Sequence, residues 1–269
     1  MNLTTNLHTH TFRCRHATKE DRDYVEAAIR AGIKTLGFAD HSPMIFSQEG
    51  FVSGFRIQPE EYEGYVKSVT DLKKEYRDDI EIHLGVELEY YPLCFEKTLA
   101  FLCEYPIEYT IMGQHHIHNE QDNYEKRDYC GKENDDPAFL TTYVDQSLAG
   151  LATGAFTYFA HPDVIHFTGD EAFYRREMTR LLTGVKDLGI PVEFNFLGYR
   201  EHRHYPNPMV WQLVREIGNT VVIGLDAHTP ETYLMKDEIE DMEAHLASLG
   251  LTPLREIPLR DPHLALKNI

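Results

Sequence analysis

The chain has 269 residues, a formal charge of -18 and 42% apolar side chains, enough for one sizeable core and close to the roughly 250 residues of a single barrel. So negative a surface repels nucleic acid and anionic membranes, no stretch reaches the roughly 20 apolar residues of a membrane span, and no leader pattern opens the chain. The four cysteines, Cys14, Cys94, Cys103 and Cys130, form no C-x-x-C pair or disulfide framework, which fits a reducing, cytoplasmic setting.

In chain order, an apolar run over residues 3–7 ends at His8-Thr9-His10, and His16 follows six residues later. Alternation along a strand aims both His8 and His10 at one point, and neutral imidazole is a common metal ligand. A helix is predicted over residues 20–31, stopped by Gly32, and a strand over 35–39 delivers Asp40-His41. Residues 50–55 read as a loop, and Pro59 opens a long helix with Tyr62, Tyr65, Val66, Val69, Leu72 and Tyr76 on its inner stripe. A third strand over 81–86 ends at Glu87. After a helix over 95–103, a fourth strand (109–112) ends in Gly113-Gln114-His115-His116.

The polar segment 119–136 reads as a loop, closed by Asp136-Pro137 as cap and first residue of the next helix. A fifth strand (155–160) ends at His161-Pro162-Asp163, a helix spans 171–188, and a sixth strand (191–196) runs into Leu197-Gly198-Tyr199-Arg200. A helix after Pro208 and a strand over 220–225 complete the pattern at Asp226-Ala227-His228. Seven strand–helix units without a linker or repeat predict one domain over residues 1–269, an α/β fold with a parallel sheet closed into a TIM-like barrel. Six of the seven strand ends carry a candidate ligand, and strand C-terminal ends are where such barrels place their chemistry. That register predicts a multinuclear metal site.

The ordered set H-T-H…H at His8, His10 and His16, D-H at Asp40-His41, Glu87, G-Q-H at residues 113–115, H-P-D at 161–163 and D-A-H at 226–228 resembles the polymerase and histidinol phosphatase (PHP) family. The likeness is strongest to its histidinol-phosphate phosphatases and runs from Leu3 to about Leu249. It implies a distorted (β/α)7 barrel with a trinuclear centre at the C-terminal ends of the strands. In that scheme His8, His10, Glu87 and Asp226 hold one metal. Glu87 bridges to a second held by His115 and His161, and His16, His41 and His228 hold the third. Imidazole and carboxylate together suit three divalent or transition-metal ions, Zn, Fe or Mn, with no cysteine taking part. Strand alternation would turn only one of His115 and His116 inward, and the resemblance prefers His115, because such phosphatases often show a histidine followed by an aromatic residue there. Asp40 and Asp163 are expected to orient neighbouring imidazoles.

The resemblance further implies hydrolysis of a small-molecule phosphate ester, L-histidinol phosphate, by a metal-bridging hydroxide, with Glu87, Asp226 and His228 catalytic. Arg200, Arg203 and Arg56 are the expected phosphate contacts, Arg200 ahead of Arg203; the cationic run Arg200-Glu201-His202-Arg203-His204, read as a loop after the sixth strand, stands out in so acidic a chain. Asp163, His202 and a metal-bound water are candidate proton donors to the leaving alcohol. Another phosphate ester, such as a phosphotyrosyl peptide or a nucleotide, is the alternative substrate. Metal amidohydrolases also begin with H-x-H on a barrel strand but usually bridge their metals with a modified lysine, and a non-catalytic metal-stabilised module would not need every ligand. Self-association into a homo-oligomer stays open. His83, inside the third strand, is expected to face outward or pack, and His118, His166, His245 and His263 are expected to be loop or solvated residues.

Overall fold

Seven parallel strands lie side by side in chain order in the computed structural model, which describes residues 3–48, 50–123 and 129–267. They are β1 (Thr5–Asn6), β2 (Thr35–Phe38), β3 (Glu81–Leu88), β4 (Tyr109–Met112), β5 (Phe156–Phe159), β6 (Val192–Asn195) and β7 (Val221–Gly224). Helices α1 (Asp21–Ala31), α2 (Tyr62–Glu75), α3 (Phe95–Leu102), α4 (Glu120–Asn123), α5 (Pro137–Ala152), α6 (Glu171–Asp187), α7 (Phe196–Arg200), α8 (Pro208–Ile217), α9 (Lys236–Ser248) and α10 (Pro262–Leu266) connect and cover them. The sheet closes just beyond its first and last strands. Thr9 bridges Ala227 in parallel, the His10 N–H donates to Ala227 O (3.0 Å), and the Ala227 N–H donates to His8 O (3.2 Å). The Asn6 side chain ties the same seam by accepting from the Leu225 N–H at 2.8 Å. The result is a nearly closed, distorted (β/α)7 barrel.

Leu7, Ala39, Tyr109, Ile111, Tyr158, Ala160 and Val222 pack as one buried group, each from a strand or its immediate end. Tyr109 spans it, its hydroxyl donating to Leu7 O at 2.8 Å. Gly37 and Gly85 make room for that ring, since a Cβ on either would overlap it. A second, larger apolar layer joins the outer strand faces to the helices. With both faces covered, β4 to β7 are buried throughout, as parallel strands under helices must be.

Local signals set the helix ends. Asp136 caps α5 by accepting from the Ala138 N–H at 2.9 Å, with Pro137 at the first position. Gly32 ends α1 with φ 86°, in the left-handed region that favours glycine. Three stretches differ from the sequence expectation. The expected loop after β6 is the helix α7, started by Asn195, whose side chain accepts from the Gly198 N–H at 2.9 Å. The expected loop 119–136 contains α4, and its residues 124–128 lie outside the described ones. Pro59 starts a 3-10 turn, Pro59–Glu61, that leads into α2. No described helix is long and apolar enough to cross a membrane.

Candidate metal centre and its cavity

At the C-terminal ends of the strands the chain gathers imidazoles and carboxylates that strand geometry has already aimed inward. His8 and His10 leave β1 on the same side, their ring centroids 5.1 Å apart. The 3-10 turn Phe12–Cys14, capped by Thr11 and ended by Arg15 in the left-handed region, folds the chain back so that His16 stacks on His228 at 4.7 Å. His161 and Asp226 both have positive φ, 30° and 50°. Non-glycine residues held in such conformations are strained and concentrate at functional sites.

Glu87 is the centre of the group. Its Oε1 lies 2.8 Å from His161 Nε2, 3.5 Å from His115 Nε2 and 3.6 Å from His8 Nε2. Its Oε2 lies 3.0 Å from His41 Nδ1 and 3.6 Å from His10 Nε2. Asp226 Oδ1 faces His10 Nε2 at 3.0 Å and His8 Nε2 at 3.6 Å. Gly113 makes this possible, because a Cβ there would overlap the Glu87 carboxylate.

The donor set fits metal ions. His8 Nε2, His10 Nε2, His41 Nδ1, Glu87 Oε2, Asp226 Oδ1, His161 Nδ1 and His228 Nε2 are all buried without a hydrogen-bond partner. Polar atoms are rarely left so without a ligand, and six of the seven face one another around Glu87 and Asp226 or border the adjoining cavity. Donor atoms within 4.8 Å of one another form the groups His8–His10–Asp226, His8–Glu87–His161 and His10–His41–His228. A further group, Cys14–His16–His228, brings in a thiol that the sequence reading had excluded from the ligand environment. Cys14 is buried beside His10 and Asp40.

Behind the imidazoles stands a second layer of acceptors. His8 Nδ1 meets Glu193 Oε2 at 2.8 Å, His10 Nδ1 meets Asp40 Oδ1 at 3.3 Å, and His115 Nδ1 meets Glu89 Oε1 at 3.0 Å. His16 and His228 turn Nδ1 to the backbone carbonyls of Cys14 (2.8 Å) and Asp226 (3.0 Å). A proton held on Nδ1 leaves the Nε2 lone pair of each ring free for a cation. Electrostatics divide the histidines in two. Burial opposes charge on His8, but Glu193, Asp226 and Glu87 outweigh it and push its pKa up to about 10. Burial dominates at His228, helped by the charge of His10, and its pKa falls to about 3; His41 is driven well down the same way. Burial works against charge on Glu87 and Asp226, yet the surrounding imidazoles hold both carboxyls well below the usual range.

The cluster forms one side of a cavity of about 660 Å³. Opposite it stand Phe55, His116, Tyr129, Leu197, Glu201, Arg203 and Tyr205. Arg203 donates from Nε (2.9 Å) and Nη2 (2.7 Å) to Glu201 Oε2 and from Nη1 to Tyr205 Oη (3.0 Å). Of the three expected phosphate arginines, it is the one that reaches this cavity among the described residues.

The other two require correction. Arg56 is 1% exposed and spends its guanidinium on Glu89, Glu120 and Ser42 O, so it is committed to the interior. Arg200 ends α7 and points to Met235 Sδ (3.2 Å) and Glu201 Oε1 (2.8 Å), away from the cavity; the unforeseen helix turned it. Asp163 orients no imidazole. It accepts from the Asn207 N–H (2.5 Å) and Trp211 Nε1 (3.1 Å), and burial raises its pKa to about 6. Of the proposed proton donors, neither Asp163 nor His202 lines the cavity. His116 does, because β4 ends at Met112 and strand alternation no longer governs residues 115 and 116. His83 pairs with Glu108 at 3.3 Å, outside the cluster.

Glu193 and Glu89 were missed in the sequence. Each had a signal: a carboxylate inside or ending an apolar strand must find a partner when buried.

A family model described as the PHP domain matches residues 6–196. The chain belongs to the PHP domain family. This PHP chain is 26% identical over 242 residues to a Deinococcus radiodurans protein named "Probable histidinol-phosphatase", covering 83% of this chain and 85% of that one. It is also 27% identical over 118 residues, 42% of this chain and 44% of the other, to the histidinol-phosphatase of Bacillus subtilis. Among solved structures, the histidinol phosphate phosphatase of Lactococcus lactis, complexed with zinc, L-histidinol and phosphate, superposes with a TM-score of 0.68 at 18% identity, covering 96% of this chain and 97% of that one. That likeness bears out the barrel expected of a PHP chain.

Proposed function

We propose that this PHP chain is a phosphomonoesterase that hydrolyses L-histidinol phosphate to L-histidinol and phosphate, using three divalent or transition-metal ions, Zn, Fe or Mn. The observation that carries it is the ring of unpartnered buried donor atoms around Glu87 and Asp226, opening on a cavity with a single described arginine. The names of the relatives supply the substrate, and the zinc, histidinol and phosphate of the Lactococcus protein fit the same reading.

In this scheme His8, His10, His16, His41, Glu87, His115, His161, Asp226 and His228 would hold the ions, with the carboxylate of Glu87 central to them. Ions held there would lower the pKa of bound water and neutralise phosphoryl charge. Glu193, Asp40 and Glu89 fix the tautomers of His8, His10 and His115. Arg203 offers its two remaining N–H groups to phosphate oxygens, while Glu201 and Tyr205 hold the plane of the guanidinium. Phe55, Tyr129 and Tyr205 wall in the organic part and thin the water around the phosphate. The four described cysteines are free thiols, in keeping with a reducing, cytoplasmic setting.

The test is phosphate release from L-histidinol phosphate, tyrosyl phosphate, nucleotides and sugar phosphates by metal-replete protein. A kcat/KM for histidinol phosphate at least tenfold above every other ester is expected. Preference for another ester would reassign the substrate, and no turnover of any would end the proposal.

A further inference from the structure

Three imidazoles of the cluster turn Nδ1 to a carboxylate outside the expected ligand set, and one of these carboxylates is unlike the others. Glu193 behind His8 bonds otherwise to Asn195 Nδ2 at 2.8 Å. Asp40 behind His10 accepts from the Thr11 hydroxyl and the His41 N–H. Neither faces an arginine or a lysine among the described residues. Glu89 behind His115 is instead gripped on both oxygens by Arg56, from Nη1 at 2.9 Å and Nη2 at 3.0 Å. The same guanidinium bonds Glu120 of α4 at 2.7 Å and Ser42 O at 3.1 Å, and lies 4.4 Å from the Phe55 ring centroid. Arg56, Glu89 and Glu120 are all at most 1% exposed.

A carboxylate hydrogen-bonded to a ligating imidazole raises the basicity of that imidazole. A guanidinium on its far side draws the negative charge the other way, in surroundings where water cannot screen it. His115 therefore receives less electron density than His8 or His10, though its ring is as firmly placed. We propose that Arg56 is a positioning residue that fixes His115 through Glu89 and makes the metal position built on His115 more weakly held than the position built on His8 and His10. This rests on the metal-holding part of the function proposed above, and not on its substrate. The consequence is a centre with an exchangeable position beside the aromatic cavity wall, while the position built on His8 and His10 stays filled.

The experiment is competitive chelation of zinc-loaded protein, read as zinc released per chain. Wild-type protein is expected to release its equivalents in separate phases, and His115→Ala is expected to lack an early equivalent while keeping the last. Glu89→Gln should weaken the early equivalent by about 10–100-fold, the usual cost of losing such a partner. The double variant Arg56→Gln/Glu120→Gln removes one positive and one negative charge together, leaving Glu89 behind His115 as Glu193 stands behind His8. It should hold the early equivalent about tenfold more tightly, the low end of that range. Arg56→Met/Glu120→Met tests the same point with apolar side chains should the glutamine pair fail to fold, since buried ion pairs often tolerate such replacement. Release in a single phase, loss of the last equivalent in His115→Ala, or weaker binding in a folded double variant would each overturn the proposal. No substrate enters the assay, so metal-loaded protein that leaves histidinol phosphate intact refutes the function above and still tests this inference. Protein that binds no zinc refutes both.

Discussion

The cavity has two walls made by different means. One is built from strand ends, where His8, His10, Glu87, His161 and Asp226 are all at most 5% exposed and backbone ladders fix their directions. The other is built from α7 and the segment after it, where the side chains of Arg200, Glu201 and Arg203 are 30%, 38% and 39% exposed and hold one another through ion pairs. Buried like charges and orphaned donors are tolerable in the first wall only with cations to receive them. The second wall is already satisfied by its own pairs and water. The first wall suits metals, and the second suits a ligand that comes and goes.

The sharpest way to break this contrast is Glu87→Gln. The substitution keeps the volume but removes the charge that His8, His10, His41, His115 and His161 all face. Bound metal per chain should fall by at least two ions and turnover should drop by more than the roughly 100-fold typical of an outer partner. Elemental analysis beside steady-state kinetics checks both. Normal metal content would make Glu87 an ordinary strand-end carboxylate and leave the two walls alike.

The same contrast explains what was legible in the sequence. A parallel strand announces itself as an apolar run, and its end fixes which residues share a face, so all nine expected ligands could be named as strand-end groups or their neighbours. Proximity of donor atoms does not by itself sort them into sets: His8–His10–Asp226 falls within one expected set, whereas the trios His8–Glu87–His161 and His10–His41–His228 cut across them, and ring orientation depends on partners such as Glu193 and Glu89 from other strands. The second wall has no such periodicity. Arg200 looked like a loop residue after β6, whereas Asn195 starts a helix there and turns the side chain away. The family resemblance implies a phosphate contact for Arg56, yet two buried glutamates, distant in sequence, claim it. Long-range charge pairing leaves no local trace.

On the second wall the next largest effect belongs to Arg203→Ala. A hydrogen bond to a charged group contributes about 1.5–3 kcal/mol, so kcat/KM for the phosphate ester should fall by roughly 10- to 150-fold. Metal content should not change, because the Arg203 side chain hydrogen-bonds Glu201 and Tyr205 and, among the described residues, none of the expected ligands. Loss of metal in this variant would mean that the two walls are one unit.

pH acts on the first wall in the metal-free protein. His8 is raised from 6.5 to about 10, so its contribution to stability is complete below the unfolded value and is lost as pH rises through the folded one. Zinc must displace that proton, so zinc affinity should rise over the same window, by up to about tenfold per pH unit for each proton released. His41 and His228, held neutral by burial, release none. Thermal unfolding of metal-free protein from pH 6.5 to 10 should therefore fall while zinc affinity climbs. His10 and His115 are raised too and act in the same direction, so parallel slopes would remove all three imidazoles from the titrating groups.

The smallest effect expected, and the finest test of the second wall, is Arg200→Ala. Arg200 meets Glu201 Oε1 at 2.8 Å, whereas Arg203 takes Glu201 Oε2 through two N–H groups. Removing Arg200 leaves the second pairing intact, and Glu201 then turns one oxygen to water. An exposed ion pair is worth at most about 1 kcal/mol, so kcat/KM should change by no more than about fivefold, with KM carrying the change. The sequence alone ranks Arg200 above Arg203, and the geometry reverses that order. Kinetics of the two alanine variants side by side decide between them. A larger loss in Arg200→Ala than in Arg203→Ala would require α7 to turn its last residue into the cavity when substrate binds, so that a mobile arginine and not the one held by Glu201 and Tyr205 would meet the phosphate.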